Sequence, residues 1–357
     1  MDLDDLERFR ELDPDDMLGH IDALPDQIEA AWAHAQTLDL PPTAGQIDRI
    51  VVCGMGGSAI SGDLLATLVA EECDVPIIVN RDASLPAYVG GQNALVIAIS
   101  YSGNTAETLS AFKLAHQRGA QLLALTTGGQ LADLAKQYNA TLWAFDYDAL
   151  PRAALGWLFA LSIAALCKTG LIADKGGEVE ASVASLRRHR EVLRAANPVV
   201  KNLAKRLAGQ FMGRIAVFYG AGLTAPVARR WKTQLNENGK HWAHFEVLPE
   251  LNHNAVVGTM FPEKALTKLA VIHLTAPEHD SADVTMRHEA TTTLLLQQGI
   301  LVDSVKARGK SRLESMLNLL QFGDYVSYYV AMGNGVDPTP IPQIVMFKEM
   351  LSQKGNT

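Results

Sequence analysis

Apolar runs rich in Val, Ile and Leu alternate with helix-period segments along most of this chain, and that alternation constrains the fold more than any other feature. In the first half the runs are Ile50 to Cys53, Val75 to Asn80, Leu95 to Ser100, Leu122 to Thr126 and Thr141 to Phe145. Such runs read as strands covered on both faces, which calls for a parallel sheet with helices on either side. The longest apolar stretch, Ala153 to Cys167, lies between Arg152 and Lys168 and is shorter than the ~20 residues of a membrane span, so it reads as a buried helix. A charged stretch from Glu178 to Arg194 then separates two halves. Beyond it Arg214-Ile215-Ala216-Val217-Phe218-Tyr219-Gly220-Ala221-Gly222 echoes Arg49-Ile50-Val51-Val52-Cys53-Gly54-Met55-Gly56. Further strands are expected at Trp242 to Val247, Leu269 to Leu274 and Ile300 to Val305. The pattern predicts an α/β chain of two similar subdomains, each a parallel sheet flanked by helices.

Two loops stand where a strand hands over to a helix. The first is Cys53-Gly54-Met55-Gly56-Gly57-Ser58-Ala59 and the second is Ser100-Tyr101-Ser102-Gly103-Asn104-Thr105. A helix N-terminus presents unpaired N–H groups and the positive end of the macrodipole, and glycine lets an anion come close to them. With Ser58, Ser100, Ser102 and Thr105 supplying hydroxyls, the pair points to a phosphate. Two other readings stand beside it. Ser and Thr before a helix are common N-caps, and Gly54 to Ala59 also fits the dinucleotide fingerprint, with Asn80-Arg81-Asp82 near the place of its ribose partner. A nicotinamide site leaves the second hydroxyl-rich loop unexplained. The corresponding loop of the second half, Gly220-Ala221-Gly222-Leu223-Thr224, keeps its glycines but little hydroxyl chemistry.

Charge narrows the partners. Of the net −8 on 357 residues, the first 30 residues contribute eleven Asp/Glu against two Arg, which leaves the rest close to neutral. A nucleic-acid surface would need clustered positive charge, so none is expected. The acidic opening reads as a pair of short surface helices serving as structural padding, and it lacks the order of a signal peptide. Cys53, Cys73 and Cys167 are odd in number and widely spaced, so neither a disulfide framework nor a thiolate metal site is expected, and a reducing cytoplasm is the default.

Two segments of the second half carry acid–base candidates. In Trp231-Lys232-Thr233-Gln234-Leu235-Asn236-Glu237-Asn238-Gly239-Lys240, Gly239 reads as a helix C-cap and places Glu237 near a helix end among amides. A carboxylate there, partly withdrawn from water, is a candidate general base. His253, between Asn252 and Asn254 after the turn at Pro249, is a candidate for proton transfer. Each also reads as an ordinary solvated side chain. His241 and His244 fall in an expected strand on opposite faces, so no metal centre is predicted with Glu246 and His253. The tail Gly333 to Pro342 reads as a turn-rich connection into a last helix, Gln343 to Leu351.

Taken together, GMGGSAISGD from Gly54, SYSGNTAET from Ser100, LNENGK from Leu235, LNHN from Leu251 and GVDPTPIP from Gly335 resemble one family, the bifunctional phosphoglucose/phosphomannose isomerases with two sugar isomerase (SIS) domains. The acidic N-terminal helical segment, expected at residues 1–40, lies outside these motifs; the resemblance, which runs from about Asp48, implies a phosphate-binding SIS domain at 41–175 and a second SIS domain at 176–357 with the acid–base groups and a C-terminal helix. It implies that Gly56, Gly57, Ser58, Ser100, Ser102 and Thr105 take the sugar phosphate together with Arg152. Glu237 would move a proton between C1 and C2, and His253 of a neighbouring subunit would open the sugar ring. Thr339 would border C2 and C3, and Lys348 would reach the ring oxygens. No cofactor and no metal are implied, and a homodimer is. Gly239 stands where the family would have Ala or Ser, a change expected to matter little at a helix end. A sugar-sensing SIS module without catalysis is the alternative.

Overall fold

A computed structural model describes residues 2–40 and 46–355. The chain opens with helices α1 (Leu6–Leu12), α2 (Met17–Asp22) and α3 (Leu24–Gln36). The first sheet is then laid down as β1 (Arg49–Cys53), α4 (Gly56–Leu68), β2 (Ile77–Asn80), β3 (Ala94–Ile99), α5 (Ala106–Gln117), β4 (Gln121–Thr126), α6 (Gly129–Gln137) and β5 (Thr141–Ala144). Helices α7 (Leu155–Thr169), α8 (Gly176–Leu193) and α9 (Leu203–Phe211) lead to the second sheet. That sheet comprises β6 (Ile215–Ala221), α10 (Ala225–Glu237), β7 (Ala243–Leu248), α11 (Glu263–Leu266), β8 (Leu269–Thr275), α12 (Ala282–Gln297) and β9 (Leu301–Lys306). Helices α13 (Arg312–Asn334) and α14 (Pro342–Gly355) close the described chain.

All strand pairs are parallel, in the orders β2-β1-β3-β4-β5 and β7-β6-β8-β9. The second order repeats the first four strands of the first, so the echo between residues 49–56 and 214–222 marks equivalent β1 and β6 strands. Both sheets are α/β layers as expected, and the expected strands all form. In the first sheet the chain runs outward in both directions from β1 and β3, whose register sets Cys53 opposite Ala98. A crevice opens at the carboxyl ends of such a pair. The two hydroxyl-bearing loops therefore emerge side by side.

Burial follows from sequence pattern. Leu155 to Leu166 is apolar at nearly every position, and α7 is buried along nearly its whole length. Helix α13 is also buried from Leu313 to Met332, and it packs against α8, α9 and α10. No helix among the described residues is long and apolar enough to cross a membrane.

The N-terminal segment is not padding. It forms three helices rather than two, and α3 packs across α7 and α8. Phe9, Met17, Ile21, Leu24 and Ile28 are all at most 5% exposed. Its acidic groups find cations far along the chain: Asp26 and Glu29 pair with Arg187, Asp26 also with Arg190, and Asp4 with the buried Lys205. The turn-rich tail begins later than expected, because Gly333 and Asn334 still belong to α13 and Gly335, at φ 68°, ends it. The division expected between residues 40 and 41 borders the segment 41–45, outside the described residues.

Candidate active site

Loop geometry leaves the two helix starts open. Met55 is the N-cap of α4 and Thr105 that of α5, and neither makes a side-chain capping bond. The hydroxyl of Thr105 instead lies 3.0 Å from the Ser100 hydroxyl. Ser58 and Ser100 are buried, and Ser102, at the exposed tip, accepts a 3.3 Å bond from the Asn104 amide. The N-cap reading of these residues thus does not describe what they do. Gly56 needs its glycine for a φ of 49°, and Gly57 for a different reason: a Cβ there would sit 3.0 Å from the Pro151 carbonyl. The first loop, Cys53 to Ala59 (loop 1), is thus seated directly on the segment that carries Arg152.

From that segment the Arg152 side chain, 3% exposed, runs into the second half. Its Nε donates to Asn238 Oδ1 at 2.7 Å, and its Nη2 donates to the carbonyls of Pro338 and Thr339, each at 2.7 Å. The remaining nitrogen, Nη1, faces Glu237 Oε2 at 3.8 Å. The guanidinium is thus directed at the carboxylate and the 335–341 strap. Arg230 fixes the Arg152 carbonyl by a 2.8 Å bond and is itself paired with the buried Asp324 of α13 at 3.0 Å. Asn238 is fixed by the Ser327 hydroxyl at 3.0 Å. A buried cation held by this many fixed partners is pre-oriented, which limits the rotamer entropy lost when a ligand arrives.

Helix α10 ends differently from the expected Gly cap. Asn238 is the C-cap, and the left-handed residue is Lys240, at φ 48°. Gly239 is small for packing: a Cβ would lie 2.9 Å from both the Leu235 carbonyl and Val330 Cγ1. A Cβ at 239 would thus require α10 or α13 to give way, so the position is more closely packed than a helix end need be. Lys240 Nζ donates to the Glu237 carbonyl at 2.7 Å and to the Pro338 carbonyl at 2.8 Å. Burial, with Arg152 nearby, pushes the Lys240 ammonium down to about 8. Its place in the LNENGK motif was the only sequence signal of this role.

Thr339 is partly buried, and its Oγ1 is withdrawn from solvent without a hydrogen-bond partner. Asn236, Glu237 and Lys240 line a cavity of about 530 Å³ together with Ile341, Gln343 and Ile344. Lys348 lies further along α14, exposed. His253, also exposed, ends a short 3₁₀ turn beyond the edge strand β7, and no hydrogen bond or ion pair among the described residues joins it to Glu237 or Arg152. The structure thus brings together loop 1, Arg152, Glu237 and Thr339, and leaves His253 and Lys348 facing outward. His241 bonds the Arg214 carbonyl and His244 accepts from Trp242, so the imidazoles considered for metal are turned to other partners. In the second half the Thr224 hydroxyl is turned into the protein: it accepts from the Ala221 N–H at 2.9 Å and shares its one proton between the Leu274 carbonyl at 2.8 Å and the Ala221 carbonyl at 3.0 Å.

Comparison with known proteins agrees with this architecture. Residues 46–142 match the SIS domain family and residues 200–351 match the bacterial phospho-glucose isomerase C-terminal SIS domain. The chain is 40% identical to a bifunctional phosphoglucose/phosphomannose isomerase of Caldicellulosiruptor bescii, over 92% of this chain and 97% of that one. It is 36% identical to a protein of the same description from Aquifex aeolicus, over 88% and 92% of the two chains. A crystal structure of a hypothetical protein from Thermus thermophilus superposes with a TM-score of 0.73 at 18% identity, covering 98% of this chain and 94% of the other.

Proposed function

The chain belongs to the bifunctional phosphoglucose/phosphomannose isomerases, and from that premise we propose how its residues carry the reaction. The protein is an isomerase that interconverts glucose 6-phosphate, and mannose 6-phosphate, with fructose 6-phosphate. The phosphate sits on the open starts of α4 and α5, where Gly56 and Gly57 allow close approach and Ser58, Ser100, Ser102 and Thr105 donate. Holding the phosphate there fixes the reacting carbons at Glu237.

Glucose and mannose 6-phosphates differ only at C2, and removal of the C2 proton from either gives one and the same enediolate. Glu237 takes that proton, the proton of the C2 hydroxyl passes to O1, and Glu237 returns its proton to C1 as the C2 carbonyl forms; the reverse reaction starts at C1. Negative charge builds on the substrate oxygens in between. Arg152 Nη1, 3.8 Å from the Glu237 carboxylate, is the cation placed where that charge develops, a role we prefer to the phosphate contact first expected of it. The unpartnered Thr339 hydroxyl borders C2 and C3.

His253 opens the ring from a neighbouring subunit. Its exposure supports this, as do the exposed apolar side chains that follow it in sequence, Val257, Met260 and Phe261, each at least 60% exposed. A homodimer working in the cytoplasm is the assembly we assign. The observation that carries the reading is the continuous link from Gly57 through Arg152 to Glu237. Its test is Glu237→Gln assayed on both aldose phosphates with chelator present. Loss of roughly 10²–10⁴-fold in kcat with phosphate affinity retained is expected for a general base. A variant that still turns over near the wild-type rate would remove Glu237 from the mechanism.

A further inference from the structure

A second cavity lies away from this site. It encloses about 560 Å³ between the end of α8, α9, the edge strand β9 and the middle of α13. Its floor is apolar, formed by Leu193, Leu207, Leu319 and Phe322, all at most 6% exposed. The His189 ring stacks over Phe322 at 6.2 Å and 14°, and its Nδ1 is buried without a hydrogen-bond partner. Gln210 donates to Asp303 at 3.2 Å from its amide nitrogen, while its Oε1 is likewise buried and unpartnered.

Four cations stand round this floor: Lys201, Arg206, Lys306 and Arg308. They are exposed, and among the described residues none of their side chains makes an ion pair or hydrogen bond. Asp303 is the one carboxylate lining the cavity. This concentration of unneutralised positive charge occurs on a chain of net charge −8. Like charges around a concave, low-dielectric wall focus the field and draw an anion toward it. The apolar floor adds a second requirement, since a fully hydrated anion gains nothing from Leu207 or Phe322.

We propose that this cavity is a binding site for an anion with a flat apolar body, the chemistry of a nucleoside polyphosphate. The phosphates meet Lys201, Arg206, Lys306 and Arg308 at the rim, and the base lies over the His189 and leucine floor. The volume is within the ~300–1,000 Å³ usual for small-molecule sites. None of the residues proposed for the isomerase reaction lines it.

The test is calorimetric titration of the full-length protein with ATP, beside tripolyphosphate and adenosine, repeated in saturating fructose 6-phosphate. Saturable ATP binding that persists with the sugar phosphate bound is expected. Each half-ligand should bind at least about tenfold more weakly, a difference of ~1.4 kcal/mol. Arg206→Ser with Arg308→Ser, both on the surface, should weaken ATP by a similar factor while leaving KM for glucose 6-phosphate unchanged. Displacement of ATP by fructose 6-phosphate would place it on the phosphate loops and overturn the proposal. Equal affinity for tripolyphosphate, indifference to the double substitution, or absence of ATP binding would do the same.

Discussion

At the scale of single residues, the site depends on small groups as much as on charged ones. Gly239 allows the end of α10 to lie against Val330 of α13, and that approach sets where the Glu237 carboxylate and the Lys240 ammonium meet the strap. Gly239→Ala should cost about 1–3 kcal/mol, as overpacking does in a close-packed interior, read as a lower midpoint in urea. An unchanged midpoint would mean that α10 and α13 can part without penalty. The sequence marked Glu237 as a candidate from its place among amides near a helix end. It offered no sign of where Arg152 points, because the guanidinium's partners, Asn238, Pro338 and Thr339, lie far along the chain. The helix cap was misplaced for a related reason: Gly239 was taken for a conformational glycine when its smallness serves packing, and Lys240 adopts the left-handed turn.

Elements were legible where their periodicity was local. Among the described residues, β1, β2, β3, β4 and β8 each carry a run of Val, Ile or Leu, and the other four strands carry enough apolar residues between turn signals, so the strands of both sheets could be read directly. The N-terminal helices could not be placed in this way. Their charge dominates their composition, and their role rests on Arg187, Arg190 and Lys205, which sequence proximity does not reveal. A further element pair has a consequence for stability. His273 of β8 and His288 of α12 face each other, Nδ1 to Nδ1 at 2.7 Å, both at most 5% exposed. Burial pushes the His273 imidazole down to about 3 and lowers His288 as well, against a nearby Asp280 that opposes the shift. Both groups take up protons more readily in the unfolded chain, from the ordinary value of 6.5. Stability is therefore fully present above 6.5 and lost as pH falls toward 3. The thermal midpoint should drop across that window, and less steeply in His273→Gln/His288→Gln. An equally steep drop in the double variant would place the acid sensitivity elsewhere.

For the whole molecule, the proposed assembly makes each site a joint product of two chains. Mixing the inactive variants Glu237→Gln and His253→Ala, then allowing subunits to exchange, should restore activity to about a quarter of wild type, because half of the dimers carry one intact site of two. Continued inactivity after verified exchange would return His253 to its own subunit. The bond from Arg152 to Thr339 spans about half the length of the chain, and it has a consequence during synthesis. The first sheet and the two loops proposed for the phosphate are translated well before the strap that positions the guanidinium. On that proposal, a chain cut short within the second half would carry the loops while lacking the partners that orient Arg152 toward Glu237.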